Sequence, residues 1–278
     1  MGRITTRRRV ARVRGGASSM RPDTLVVEEP MEIRLDGQSL AVTMRTPGND
    51  FELATGFLVT EGVISTAADI ADQRYCTGAR PDTRYNIVNV RLAPGVPAPD
   101  PSVERAFYTT SSCGICGKGS IDAVHTVTRW QVADDPAPVA SSVLAELPER
   151  LRQHQAVFER TGGLHAAGLF TTAGELLCLR EDVGRHNAVD KVIGWACRQD
   201  ALPLRGCVLQ VSGRASFELV QKSLMAGIPI MSAVSAPSSL AVDLAAESGM
   251  TLAGFVRGET MNVYTGGHRV DACASAVA

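Results

Sequence analysis

The chain has 278 residues, enough to bury a large core as one big domain or two small ones. Lys and Arg number 28 against 29 Asp and Glu, and 45% of residues are apolar. That balance implies neither nucleic acid nor membrane as a partner, and no apolar run approaches the length that spans a bilayer.

The first 21 residues carry seven arginines and no acid, which predicts a disordered basic tail over 1–23. Arg7-Arg8-Arg9 is not followed by an apolar segment, so it does not make an export signal. Residues 24–46 read as strands, with Leu40, Val42 and Met44 alternating against smaller or polar neighbours. Thr46-Pro47-Gly48-Asn49-Asp50 is a turn leading into a helix over 51–60, closed by Gly62. A strand follows over 85–92, then a Pro- and Ala-rich loop over 93–101. A second Pro/Ala/Asp stretch, 134–139, separates an N-terminal subregion (24–133) from a C-terminal α/β subregion (140–278), within one integrated fold. The second half predicts a hairpin (168–170 and 175–179), then helix 187–198, strand 207–211, helix 215–226, strand 228–234, helix 238–248 and strand 251–256. Such alternation implies an α/β layer with a largely parallel sheet.

The most informative stretch is Ser111-Ser112-Cys113-Gly114-Ile115-Cys116-Gly117-Lys118-Gly119. Its glycines predict an easily bent backbone, and Lys118 brings positive charge. Ile121, Val124, His125 and Thr128 fall on one face of a helix that would follow. A helix N-terminus and a nearby cation both favour thiolate over thiol. Structural zinc needs four ligands, and no second C-x-x-C exists; no tightly bound metal is expected. Seven cysteines, an odd number, with no mark of secretion point to a reducing, cytoplasmic setting rather than structural disulfides. A thiol–disulfide redox couple of Cys113 and Cys116 is the rival reading.

Three turns each follow a strand and open a helix: 180–187, 212–216 and 235–239. In a parallel α/β sheet they lie at the carboxyl edge of the strands, where ligands bind. Helix capping alone accounts for any one of them; together, with Arg185 and Arg214, they point to an anionic ligand. His165 reads as a core histidine. His186, flanked by Asp182, Arg185 and Asn187, is the better functional candidate.

Several segments closely resemble the formate dehydrogenase accessory sulfurtransferases, the FdhD family. They are AVTMRTPGNDFELATGFL at 41–58, SSCGICGK at 111–118, TGGLHAA at 161–167, REDVGRHNAVDK at 180–191, SGRASFELVQK at 212–222, SAPSSLAVDLA at 235–245 and GFVRGETMNVYT at 254–265. The resemblance spans about residues 25–265. It implies a sulfurtransferase that takes sulfur from a cysteine desulfurase as a persulfide. The sulfur passes to the molybdenum (or tungsten) bis(molybdopterin guanine dinucleotide) cofactor of formate dehydrogenase. By the same resemblance Cys113 carries the persulfide on a mobile loop, and Phe255, Val256, Arg257, Gly258, Glu259 and Thr260 contact the cofactor. It further implies a cytidine-deaminase-like layered sheet with flanking helices, a homodimer, and the formate dehydrogenase apoenzyme as partner. A non-catalytic cofactor-insertion chaperone is a third reading.

Overall fold

The computed structural model describes residues 4–76, 85–97 and 128–271. Cys113, Cys116 and the helix expected after them lie outside these residues.

The N-terminus departs from the expected disordered tail. β1 (Thr5–Arg14) and β2 (Ala17–Val26) form an antiparallel ribbon over ten register pairs, from Thr5↔Val26 to Arg14↔Ala17. The link is Gly15-Gly16, at φ 56° and 82°. Two consecutive positive φ values are what a tight two-residue hairpin turn requires, and glycine supplies them without strain. Counting arginines hid this local signal.

Alternation at Met31, Ile33 and Leu35 buries one face of β3 (Glu29–Leu35). β3 pairs with β4 (Gln38–Arg45), and with β5 (Ile70–Tyr75) and β6 (Ile87–Leu92) it makes a four-stranded sheet ordered β4-β3-β6-β5. Helix α1 (Asp50–Thr60) packs Leu53, Ala54 and Leu58 into the same core.

The second sheet has six strands. They are β7 (His165–Thr171), β8 (Leu176–Asp182), β9 (Cys207–Val211), β10 (Ile230–Ala233), β11 (Thr251–Arg257) and β12 (Thr260–Thr265). Their order is β12-β11-β10-β9-β7-β8. Only β9–β10 and β10–β11 pair in parallel; the other three pairs are antiparallel. The expectation of a largely parallel sheet is therefore corrected to a mixed one. A hairpin closes each side of a three-stranded parallel centre, and strand–helix alternation reveals only that centre.

The remaining α-helices among the described residues are α2 (Ser141–Gln153), α3 (Ala156–Thr161), α4 (Arg185–Arg198), α5 (Phe217–Met225) and α6 (Ser239–Glu247). Helix α2 lays Leu144, Leu147 and Leu151 over one sheet face, against Phe170, Val208 and Ile230. On the other face one apolar cluster runs from Met31 through Leu53, Val192 and Leu209 to Leu252. It takes residues from both halves of the chain.

Two glycines set the junction of the halves. A Cβ at Gly56 would stand 1.8 Å from the Asp190 carbonyl oxygen, and one at Gly194 would stand 1.8 Å from that of Glu52. Only bare backbone lets α1 and α4 cross this closely. No helix among the described residues is long and apolar enough to cross a membrane.

Candidate functional site

Strands β8, β9, β10 and β11 all run in one direction, because β7 is antiparallel to both β8 and β9. Their carboxyl ends therefore share an edge, and the turns singled out in the sequence converge there. Backbone hydrogen bonds join them into one ridge. Ser212 N–H donates to the Ala166 carbonyl at 3.0 Å, and Ser235 N–H to that of Gly213 at 3.2 Å. Ser238 N–H donates to the Ala215 carbonyl at 3.0 Å, and Phe255 N–H to that of Ser235 at 3.3 Å. The segment expected to contact a cofactor, Phe255–Thr260, ends β11 and turns into β12 on this ridge.

Within that segment Val256 is buried, while Phe255, Arg257, Gly258, Glu259 and Thr260 are exposed. Phe255 has φ 53° and leaves 42% of its surface in water. A bulky aromatic in the left-handed region is strained by roughly 1–3 kcal/mol. The register shift between Gly254 and Arg257 imposes that backbone, and the ring is held out beyond the sheet instead of being packed beneath it.

At the other end of the ridge the 180–187 turn is held from within. Asp182 is fully buried and pairs with Lys191 at 2.7 Å. It also accepts from the N–H groups of Thr46 (3.1 Å) and Gly184 (2.8 Å) and from Asn187 Nδ2 (3.0 Å). Asp182 and Asn187 thus fix the turn and tie it to the N-terminal half; they are not open to a ligand. Arg185 and His186, at the end of this turn, are partly buried.

His186 Nε2 lies 3.5 Å from Ser216 Oγ and 3.8 Å from a Glu218 carboxylate oxygen. Ser and Glu meet the same ring nitrogen, so this is no relay of the kind that activates a serine nucleophile. Burial would push the Glu218 carboxyl up. Hydrogen bonds from His186, from its own backbone N–H and from Ser216 outweigh that and hold it at about 2. This contact was not legible in the sequence, since 32 positions separate the partners; an acid in the first turn of a helix, Glu218, was the local hint.

The half-buried imidazole of His165 makes no hydrogen bond among the described residues, while its backbone sits opposite Asp182 in the β7–β8 ladder. Burial lowers its titration, and the positive charge of Arg185 and His186 lowers it further. It is not the satisfied core histidine that the sequence suggested.

The described thiols are poor nucleophiles in the main. Burial pushes Cys178 up to about 12, and Cys197 and Cys207 up to about 11. Among the described residues no group of three or more His, Cys, Asp or Glu could hold a metal ion.

A family model described as the FdhD/NarQ family matches residues 26–271. The chain is 62% identical over 279 residues to a sulfur carrier protein FdhD of Streptomyces avermitilis, covering 99% of each. It is 58% identical to the protein of the same name in Mycolicibacterium paratuberculosis, over 96% of this chain and 99% of that one. With its counterpart in Sulfolobus acidocaldarius the identity is 44%, over 95% and 97%. A crystal structure described as a formate dehydrogenase accessory protein from Desulfotalea psychrophila superposes with a TM-score of 0.75. It shares 24% identity and covers 96% of this chain and 100% of its own, so it speaks for the fold alone. The sequence segments, the family model and the close relatives agree: this chain belongs to the FdhD/NarQ family.

Proposed function

We propose that this protein is a sulfur carrier serving formate dehydrogenase, and that Cys113 is its carrier thiol. The observation that carries the reading is near-full-length similarity to proteins named sulfur carrier protein FdhD. Cys113 accepts sulfur from a cysteine desulfurase: its thiolate attacks the outer sulfur of the donor persulfide, the donor leaves as a thiolate, and Cys113 keeps the outer sulfur. The acceptor, and thus the substrate, is the molybdenum bis(molybdopterin guanine dinucleotide) cofactor. Phe255, Val256, Arg257, Gly258, Glu259 and Thr260 contact it, through main-chain groups and Arg257. What favours this placement is that the segment lies on a ridge with three helix-opening turns, the arrangement that suits phosphate groups.

The reading includes action in the cytoplasm as a homodimer, a sheet architecture akin to that of cytidine deaminases, and no metal of the protein's own. The high titration of Cys178, Cys197 and Cys207 supports it indirectly, because those thiols are unsuited to nucleophilic attack.

Cys113→Ser tests the reading. In a strain lacking the parent protein, the variant is expected to leave formate dehydrogenase inactive while the purified variant still binds GDP. Full activation by Cys113→Ser would refute the carrier role.

A further inference from the structure

The ribbon β1–β2 has no part in the proposed function, and the span matched by the family model starts only at its last residue, Val26. Its root is anchored. Val27 N–H donates to the Ile4 carbonyl at 2.9 Å, and a Cβ on Gly163 would stand 3.2 Å from a Val26 methyl. Beyond the root no described residue covers it: from Arg7 to Asp23 all but the half-buried Val10 are exposed. Two strands on their own are marginal in water. Ten register pairs with neither a third strand nor a helix beneath them need a surface to lie on.

The two sides of the ribbon differ. Side chains alternate along each strand, and residues directly opposite share a side. One side therefore carries Arg7 and Arg9 toward the root, and Ala11, Val13, Met20 and Pro22 toward the tip. Val13 leaves 69% of its surface in water and Met20 55%. Asp23 lies opposite Arg8 on the other side, so this side has no acid of its own. Among the described residues Arg7 and Arg9 make no ion pair. Residues 1–26 hold seven arginines and one acid, a net charge of +6; the whole chain is at −1, which leaves −7 on residues 27–278.

That acidic remainder has a face of matching pattern. Helix α6 contains two acids and no base. Leu240, Asp243 and Glu247 are exposed on it at i, i+3 and i+7, one stripe of the helix. Leu240 and Glu247 are roughly 10 Å apart along the helix axis, and Arg9 and Val13 roughly 13 Å apart along the strand. Laid together, Val13 and Met20 meet Leu240 while Arg7 and Arg9 meet Asp243 and Glu247. A partner met only in passing would leave the ribbon bare between encounters, whereas a second copy is always at hand.

We infer that the ribbon is an arm that lies on α6 of a second copy of this chain, with the twofold-related arm doing the same in return. A twofold pairing makes both contacts at once and closes on itself. The inference deepens the homodimer reading of the proposed function and rests on it, by naming the surface that joins the copies.

Sedimentation velocity of the full chain at low salt tests it. The parent should be a dimer that loosens as salt rises. Arg7→Glu with Arg9→Glu, and separately Asp243→Arg with Glu247→Arg, should each weaken the dimer at least 10-fold. Mixing these two variants should restore it, because each reversed arm then meets a reversed helix or an intact pair forms. Restoration also shows that both variants fold. Val13→Ser with Met20→Ser, which leaves the charges alone, should weaken the dimer too. A parent dimer that these changes leave intact, or a mixture that stays dissociated, would overturn the arm contact alone. A monomeric parent would overturn the homodimer reading with it. Loading of sulfur on Cys113 is measured separately, so the carrier role does not fall with either.

Discussion

Lys222 and Asp190 meet where water does not reach. Both Asp190 carboxylate oxygens lie 2.9 Å from Lys222 Nζ, and Thr60 Oγ1 donates to the same carboxylate. Burial favours neutral Asp190, but the Lys222 charge beside it opposes that shift. Removing one partner of a buried pair strands the other's charge. Lys222→Met is therefore expected to cost about 3–5 kcal/mol in urea unfolding. Lys222→Met with Asp190→Leu should recover most of the loss; if the double variant is no more stable than the single, the pair is not what holds this junction. Glu218 gives a second residue-scale outcome. Its folded titration, about 2, lies below the ordinary 4.5. The folded state then binds fewer protons than the unfolded one between those values. The contribution is full above pH 4.5 and is lost as pH falls through about 2. Glu218→Gln should flatten the acid limb of the stability profile in that window. His165 is also lowered, so its contribution is lost as pH falls below 6.5, a window distinct from that of Glu218.

At the scale of elements, α1 and α4 cross with backbone almost against backbone. Gly56→Ala drives a methyl group into the Asp190 carbonyl oxygen, at 1.8 Å from backbone that cannot rotate away. The helices must part, and about 3 kcal/mol or more of stability should go with them, read as a lowered melting temperature. A variant that melts like the parent would mean that the crossing is looser than described. Elements also show what the sequence could carry. The strand Cys207–Val211 was legible to the residue, because five buried residues stand between Gly206 and Ser212. Helix α2 is obscured in the sequence, although Leu144, Leu147 and Leu151 keep helical spacing, because Pro148 sits inside it. Strand β12 alternates faithfully from Thr260 to Thr265, but no side chain in it is fully buried, so its apolar period is weak. In the ribbon β1–β2 the density of charge masks the two-glycine turn that sets the hairpin.

For the whole molecule, what was legible is the ridge, and what was not is its interior wiring. Serines, glycines and arginines at three helix starts are local signals, so the sequence places the turns. Which arginine lacks an acid, and which acid is spent on a buried lysine, depends on residues far apart in the chain. Asp182 reaches Thr46 across 136 positions, and His186 meets Glu218 across 32. The turns 180–187, 212–216 and 235–239 and the segment 255–260 contain no cysteine, and burial raises the titration of Cys178, Cys197 and Cys207. The proposed function assigns the sulfur chemistry to Cys113, and it stands or falls on that residue. The direct test is peptide mass mapping after incubation with a cysteine desulfurase and cysteine. The account predicts a gain of about 32 Da per sulfur atom on the peptide bearing Cys113, reversed by thiol reductant. A gain confined to Cys116, or found on neither cysteine while the desulfurase itself is loaded, would contradict it.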